Sequence, residues 1–280
     1  MKLIEIPALI LEPKYDVAVL LPTRGRTTAL LDSLNSLVDH ADDIKSIQII
    51  LGMDNDDAEC VQWAAENIFK EYSSRGISTS IMEFTPMGYT RLNEYVTSLA
   101  KNSNARWLMF WNDDAIMKTQ GWDSRIREYN GKFRVLRMPT HNEHPYAVFP
   151  IVPRDWLMLF DYLSAHQLSD AWISQIAYIL NIMETIPVEV LHDRHDLTGN
   201  NDDDTYRNRI MFEGRPEDPR DFNHISWRRH RFIDARKIAW FMYTHGEDVS
   251  WFMNVCKGTR DPWERMLNEF DPNEQMKRFK

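Results

Sequence analysis

Four short apolar runs alternate with three amphipathic stretches between Asp16 and Trp111, and this alternation limits the possible folds more than any other property of the chain. Asp16–Leu21 (DVAVLL) is almost continuously apolar and stops at Pro22. Ser46–Leu51 (SIQIIL) and Ile77–Phe84 read as second and third strands. Arg106–Trp111 (RWLMFW) reads as a fourth with no polar face, which implies burial on both sides. The intervening stretches carry apolar residues at helical spacing. The first has Leu30, Leu31, Leu34, Leu37 and Val38 after Thr27, a plausible N-cap. The second runs from about Asp57 with Val61, Ala64, Ala65, Ile68, Phe69 and Tyr72, and the third carries Leu92, Tyr95, Val96 and Leu99. Strands separated by helices predict an α/β chain with a Rossmann-like, mostly parallel sheet covered by helices.

The following region is less regular, with candidate strands near Phe133–Met138 and Tyr146–Ile151. A helix is expected over Asp170–Ile182, with Trp172, Ile176, Ile179 and Leu180 inward, then a short strand over Pro187–Leu191. Asp193–Asp204 (DRHDLTGNNDDD) is polar and turn-rich. After about Pro219 the composition shifts to an Arg- and aromatic-rich helix that ends in Asp-Pro breaks. The run Trp227-Arg228-Arg229-His230-Arg231-Phe232, with Ile233, Trp240 and Phe241, has two readings. It is an amphipathic helix packed on the acidic sheet domain, or a surface that touches a membrane or an anionic acceptor.

Composition removes several functions. Across 280 residues, 33 Lys+Arg against 42 Asp+Glu leave a net charge of −9, which disfavours a general nucleic-acid binder. The two cysteines, Cys60 and Cys256, lie far apart, so neither a disulfide framework nor a cysteine zinc site is expected, and a reducing, cytoplasm-like compartment fits. No apolar run approaches the roughly 20 residues that span a bilayer. Met1–Asp16 is broken by Glu5, Pro7, Glu12 and Pro13 and reads poorly as a signal peptide. The 10 glycines are too widely spaced for G-x-G-x-x-G or G-x-x-x-x-G-K. A nucleotide phosphate would have to be held by cations and arginines instead.

Ligands of a parallel sheet collect at the carboxyl ends of its strands. There the sequence sets Pro22-Thr23-Arg24-Gly25-Arg26, then Asp54-Asn55-Asp56-Asp57, then Gly88, Arg91 and Asn93, then Asn112-Asp113-Asp114. Carboxylates leaving a buried strand are costly to desolvate and call for a compensating charge, which Mg²⁺ or Mn²⁺ would supply. The alternative is that Asp113 or Asp114 merely caps the next segment. His192 and His195 could complete such a cation site or be solvated surface residues. Asp170, opening its helix, is a first-turn acid or a proton acceptor. Trp111, Trp122 and Trp156 are core residues or stacking platforms for a sugar.

In their order and placement, these motifs resemble the GT-A glycosyltransferases, nearest the small family-2-like enzymes of bacteria and their phages, over roughly residues 15–206. The resemblance implies a GT-A catalytic domain (1–206) with a C-terminal helical extension (207–280). It implies a UDP-sugar donor, Mn²⁺ or Mg²⁺, and a glycan, lipid or protein acceptor of unknown identity; homodimerisation is left open. By position, Pro22, Thr23, Arg24 and Arg26 would line the nucleotide pocket and Asp54 would meet the uracil edge. Gly88, Arg91 and Asn93 would lie against base, ribose or phosphates. Asp113 and Asp114 stand in for the family's Asp-x-Asp motif, with Asp113 assigned to the nucleotide and Asp114 as metal ligand. Asn112 occupies its first position, where the family has an acid, so that Asp113 takes over ribose or metal contact or binding is weaker; Asp56 is a secondary candidate. His195, in His195-Asp-Leu-Thr-Gly199, matches the family's C-terminal metal histidine better than His192 does. Asp170-Ala-Trp-Ile matches the surroundings of the base of inverting members. Two other functions remain. One is a nucleotide-sugar-forming nucleotidyltransferase, which would need a glycine-rich loop that this chain lacks. The other is a non-catalytic nucleotide- or sugar-binding module, consistent with Asn112.

Overall fold

A strand with no polar face must be covered on both sides, and β4 (Ala105–Phe110) is buried at every position but Arg106. The computed structural model, which describes residues 12–141, 144, 146–193 and 215–256, covers it as expected. The chain runs β1 (Tyr15–Thr23), α1 (Thr27–Asp39), β2 (Ile47–Asp54) and α2 (Ala58–Ala64). Helix α2 continues through a π turn (Ala65–Phe69) into α3 (Lys70–Ser74), followed by β3 (Ser78–Phe84), α4 (Leu92–Lys101) and β4. Parallel registers join β3 to β2, β2 to β1 and β1 to β4. Gly52, in mid-strand, lets α4 approach closely: a Cβ there would lie 3.2 Å from side-chain atoms of Leu99 and Phe84.

Five strands of only three residues follow: β5 (Ala115–Met117), β6 (Val135–Arg137), β7 (Ile151–Pro153), β8 (Met183–Thr185) and β9 (Val190–His192). Between them stand α5 (Trp122–Arg127), α6 (Arg154–Phe160) and α7 (Ser169–Leu180). The seven-stranded sheet has the order β3-β2-β1-β4-β7-β6-β8, and β5 and β9 form a separate antiparallel pair. β7 runs antiparallel to both β4 and β6, while β6 and β8 are parallel. The sheet is therefore mostly parallel.

Several expectations change. Arg26, not Thr27, holds the cap position of α1, and it makes no side-chain cap bond. The strand expected over Tyr146–Ile151 begins only at Ile151, and the one expected over Pro187–Leu191 begins at Val190. Asn181, in the left-handed conformation, ends α7 before Ile182. Strands β5 and β8 and helices α5 and α6 were not legible in the sequence. Trp122 and Trp156 are fully buried, with their indole N–H groups donating to the Leu37 and Leu163 carbonyls, so neither offers a face to a sugar. Trp111 is likewise core, donating to Ser33 Oγ.

The basic, aromatic segment forms α8 (Ile225–Thr244), followed by α9 (Ser250–Cys256). α8 packs on α7 as an amphipathic helix does, but through Phe232, Ala235, Ile238, Ala239 and Met242. Ile233 and Trp240, expected inward, are 45% and 64% exposed. No helix among the described residues is long and apolar enough to cross a membrane.

Candidate functional site

The sheet order reverses between β1 and β4, because β2 and β3 extend to one side of β1 and β4 lies on the other. Such a switch point leaves a crevice at the carboxyl ends of the two strands. The Trp111 N–H donating to the Leu20 carbonyl continues the β1–β4 ladder one step, so Asn112-Asp113-Asp114 emerges beside Thr23 and Arg26. Asp113 is 1% exposed, and Thr23 Oγ1 donates to its Oδ2 at 2.5 Å. Arg26 Nε donates to the same oxygen at 3.2 Å, and its Nη2 lies 2.5 Å from Oδ1. Asp113 thus ties the β1 loop to the end of β4. Asn112 is exposed, and its carbonyl accepts from Ser33 Oγ.

A second cluster stands at the end of β2. Arg24 Nη1 lies 2.7 Å from Asp54 and 2.5 Å from Asp56. The Arg24 guanidinium holds the Asp56 carboxyl below its usual range, and the two acids raise Arg24 in turn. Asp54 also accepts a short bond from Tyr95 on α4. Burial first, and then that bond, pushes the Tyr95 hydroxyl up to about 12. Tyr95 accepts from the Met87 N–H, which links the loop containing Gly88 to this cluster. Gly25 needs its left-handed φ of +68°, and its N–H donates to Asp57 Oδ2 at 2.7 Å, fixing the turn between the two arginines.

Asp114 points the other way, toward β9. The β5–β9 register sets His192 opposite Ala115, and Asp193 N donates to the Asp114 carbonyl at 2.7 Å. Asp114 Oδ1 and His192 Nε2 face one another across 3.5 Å, and Arg26 Nη1 is 4.0 Å from Asp114 Oδ2. Burial opposes ionisation of Asp114, but His192 and Arg26 outweigh it and hold the carboxyl below its usual value. Asp114 Oδ1 and both ring nitrogens of His192 are buried without a hydrogen-bond partner. Leaving three such atoms unsatisfied is costly, and a cation held between an acid and an imidazole would relieve it. No group of three or more His, Cys, Asp or Glu side chains suited to a metal occurs among the described residues. His192 stands against Asp114, and His195, the histidine that the resemblance favours, lies outside the described residues.

The other expected residues stand apart from these contacts. Arg91 is exposed and forms a two-pronged pair with Glu94, at 2.6 and 2.5 Å. Asn93 Nδ2 donates to the Ser164 carbonyl. Asp170, half-buried in the first turn of α7, makes no hydrogen bond or ion pair with the Asp113–Asp114 or Arg24 clusters among the described residues. Sequence reasoning missed Tyr95 and Asp57. For Tyr95 the signal was a hydroxyl in an apolar helix stripe, which needs a buried partner.

No family model and no curated protein matches the chain. Solved structures do. A mannosyltransferase from Pyrobaculum calidifontis, in complex with GDP-Man and Mn²⁺, is similar over 96% of this chain and 85% of its own, at 8% identity and a TM-score of 0.54. S. aureus TarS 1–349, in complex with UDP-GlcNAc, is similar over 90% of this chain and 79% of its own, at 13% identity and a TM-score of 0.53. In another TarS 1–349 structure the match spans only 58% of that chain, with a TM-score of 0.43. The sheet order and these similarities define the architecture: the chain has a GT-A-type glycosyltransferase fold.

Proposed function

We propose that this chain is a metal-dependent glycosyltransferase that moves a sugar from a UDP-sugar to a hydroxyl acceptor. The facing of Asp114 Oδ1 and His192 Nε2 at 3.5 Å, both buried and without hydrogen-bond partners, carries this reading. A purely structural network would satisfy these atoms. An acid and an imidazole beside an arginine-bearing loop suit a hard cation shared with a diphosphate. The bound nucleotide sugars of the two similar structures favour the same chemistry.

When bound, Mn²⁺ or Mg²⁺ would offset the charge that develops on the departing diphosphate. Asp114 and His192 are the residues that would hold it, with His195 as a further candidate. Asp113 keeps Arg26 oriented. Arg24 and Arg26 offer positive charge at the crevice, which favours release of an anionic leaving group. Asp54 accepts from Arg24 and Tyr95 and, with about four acceptor positions on a carboxylate, keeps capacity for the uracil N–H. Pro22, Thr23, Gly88, Arg91 and Asn93 are assigned to the nucleotide by position only. The acceptor oxygen attacks the anomeric carbon, the bond to the diphosphate oxygen breaks, UDP leaves, and the acceptor proton passes to Asp170 with inversion. We assign residues 1–206 to donor binding and catalysis, 207–280 to a helical extension, and the protein to the cytoplasm.

Asp170→Asn should lower kcat by about 10²–10⁴, the usual worth of general-base assistance, while UDP affinity holds. Turnover like that of the wild type, or a product that keeps the donor's anomeric configuration, removes Asp170 from this role.

A further inference from the structure

Helix α8 shows two unlike faces. One enters the core with Asp234, the helix's only acid, which is 0% exposed. On the opposite side Ile225, Arg229, Ile233, Arg236, Trp240 and Tyr243 recur every three or four residues, and all are exposed. Trp240 and Tyr243 are 64% and 63% exposed, with ring centroids 5.9 Å apart. No ion pair ties down Arg229 or Arg236 among the described residues.

We propose that this face docks the protein on the headgroup region of an anionic lipid bilayer. Charge complementarity commits the surface to that occupant. In a chain of net charge −9, an acid-free stripe with two arginines is a local reversal of sign. A two-fold contact with a second copy would set the same cationic face against itself, with no acid on that face of the helix to compensate. A soluble polyanion would engage the arginines but leave Ile233, Trp240 and Tyr243 in water. A bilayer surface takes both groups: aromatic and aliphatic side chains at the headgroup–acyl boundary, and arginines on lipid phosphates. The inference stands independently of the transfer reaction proposed above.

Sedimentation of the full chain with vesicles of phosphatidylcholine alone, and of phosphatidylcholine mixed with phosphatidylglycerol, tests it. Binding is expected to the mixed vesicles only and to weaken as NaCl is added. Replacing Arg229 and Arg236 with Gln should weaken it about fivefold for each arginine. Trp240→Ala combined with Tyr243→Ala should weaken it by about tenfold or more. All four positions are exposed, so Tm should not change and lost binding will not reflect unfolding. Equal binding to both vesicle types, no binding, or variants that bind like the wild type would overturn the proposal. So would self-association of the free protein that is abolished by Trp240→Ala with Tyr243→Ala, an outcome that assigns the face to a second copy.

Discussion

Asp113 is a charge that cannot leave the protein: it is 1% exposed, and Arg26 and Thr23 are its partners. Removing one member of a buried pair strands the other, at a cost of about 3 kcal/mol or more. Arg26→Met should therefore lower the unfolding free energy by about 3 kcal/mol in urea titrations. Adding Asp113→Asn should recover part of the loss. The closer of Arg26's two buried carboxylates is then uncharged, and only Asp114, 4.0 Å away, still lacks the arginine. Asp113 and Asp114 were legible as a pair because acids leaving a fully apolar strand require compensation. The resemblance named Asp114 as the metal ligand; what the sequence could not show is which loop each carboxylate oxygen faces. Of the two histidines, the resemblance favoured His195, which lies outside the described residues. That His192 stands against Asp114 was not legible, since strand register and not spacing sets it opposite Ala115. The tryptophans near the crevice were ambiguous for a similar reason: an indole suits a core and a sugar platform equally well.

At the level of elements, α8 shows what periodicity conveys and what it withholds. The spacing announced an amphipathic helix, but Ile233 and Trp240 looked like its inner face because they are its larger apolar groups. The inner stripe includes the small Ala235 and Ala239, which permit close packing on α7. Three-residue strands such as β5 and β8 leave no period to read and are held by their partners' registers. α8 also makes a pH-dependent contact. Tyr162 donates to both oxygens of Asp234 at 2.9 Å and lies 2.9 Å from His230 Nε2. Burial pushes the Asp234 carboxyl up to about 6, and burial also lowers the His230 imidazole. A carboxyl whose folded value exceeds its unfolded one binds its proton more tightly when folded. Stability from this group is therefore full below about pH 4 and is lost as pH rises through about 6. A shift of that size corresponds to about 3 kcal/mol. Asp234→Asn should raise Tm relative to wild type at pH 8 and leave it nearly unchanged at pH 4, as thermal melts at the two values would show.

For the molecule as a whole, the half made of β1 to β4 was readable. β1, β2 and β4 are apolar strands buried at most positions, which have few alternatives, and β3 follows them at the sheet edge. The half beyond β4 was not, because its antiparallel strand β7 enters the sheet out of sequence order. If Asp114 and His192 share a cation with a diphosphate, Mn²⁺ and UDP should stabilise the protein together far more than either does alone. At about a hundred times the dissociation constant a ligand adds about 2.7 kcal/mol. Asp114→Asn should abolish the joint Tm increase, and an undiminished increase would remove Asp114 as a ligand. The crevice has one more consequence. Each of its arginines is already matched by acids, Arg24 by Asp54 and Asp56 and Arg26 by Asp113, and the chain around them is negative. The nucleotide sugar proposed as donor, arriving with its own negative charge, would therefore meet no attractive far field. Capture must come from short-range exchange of partners at the crevice mouth, and selectivity there should owe more to shape than to electrostatic steering.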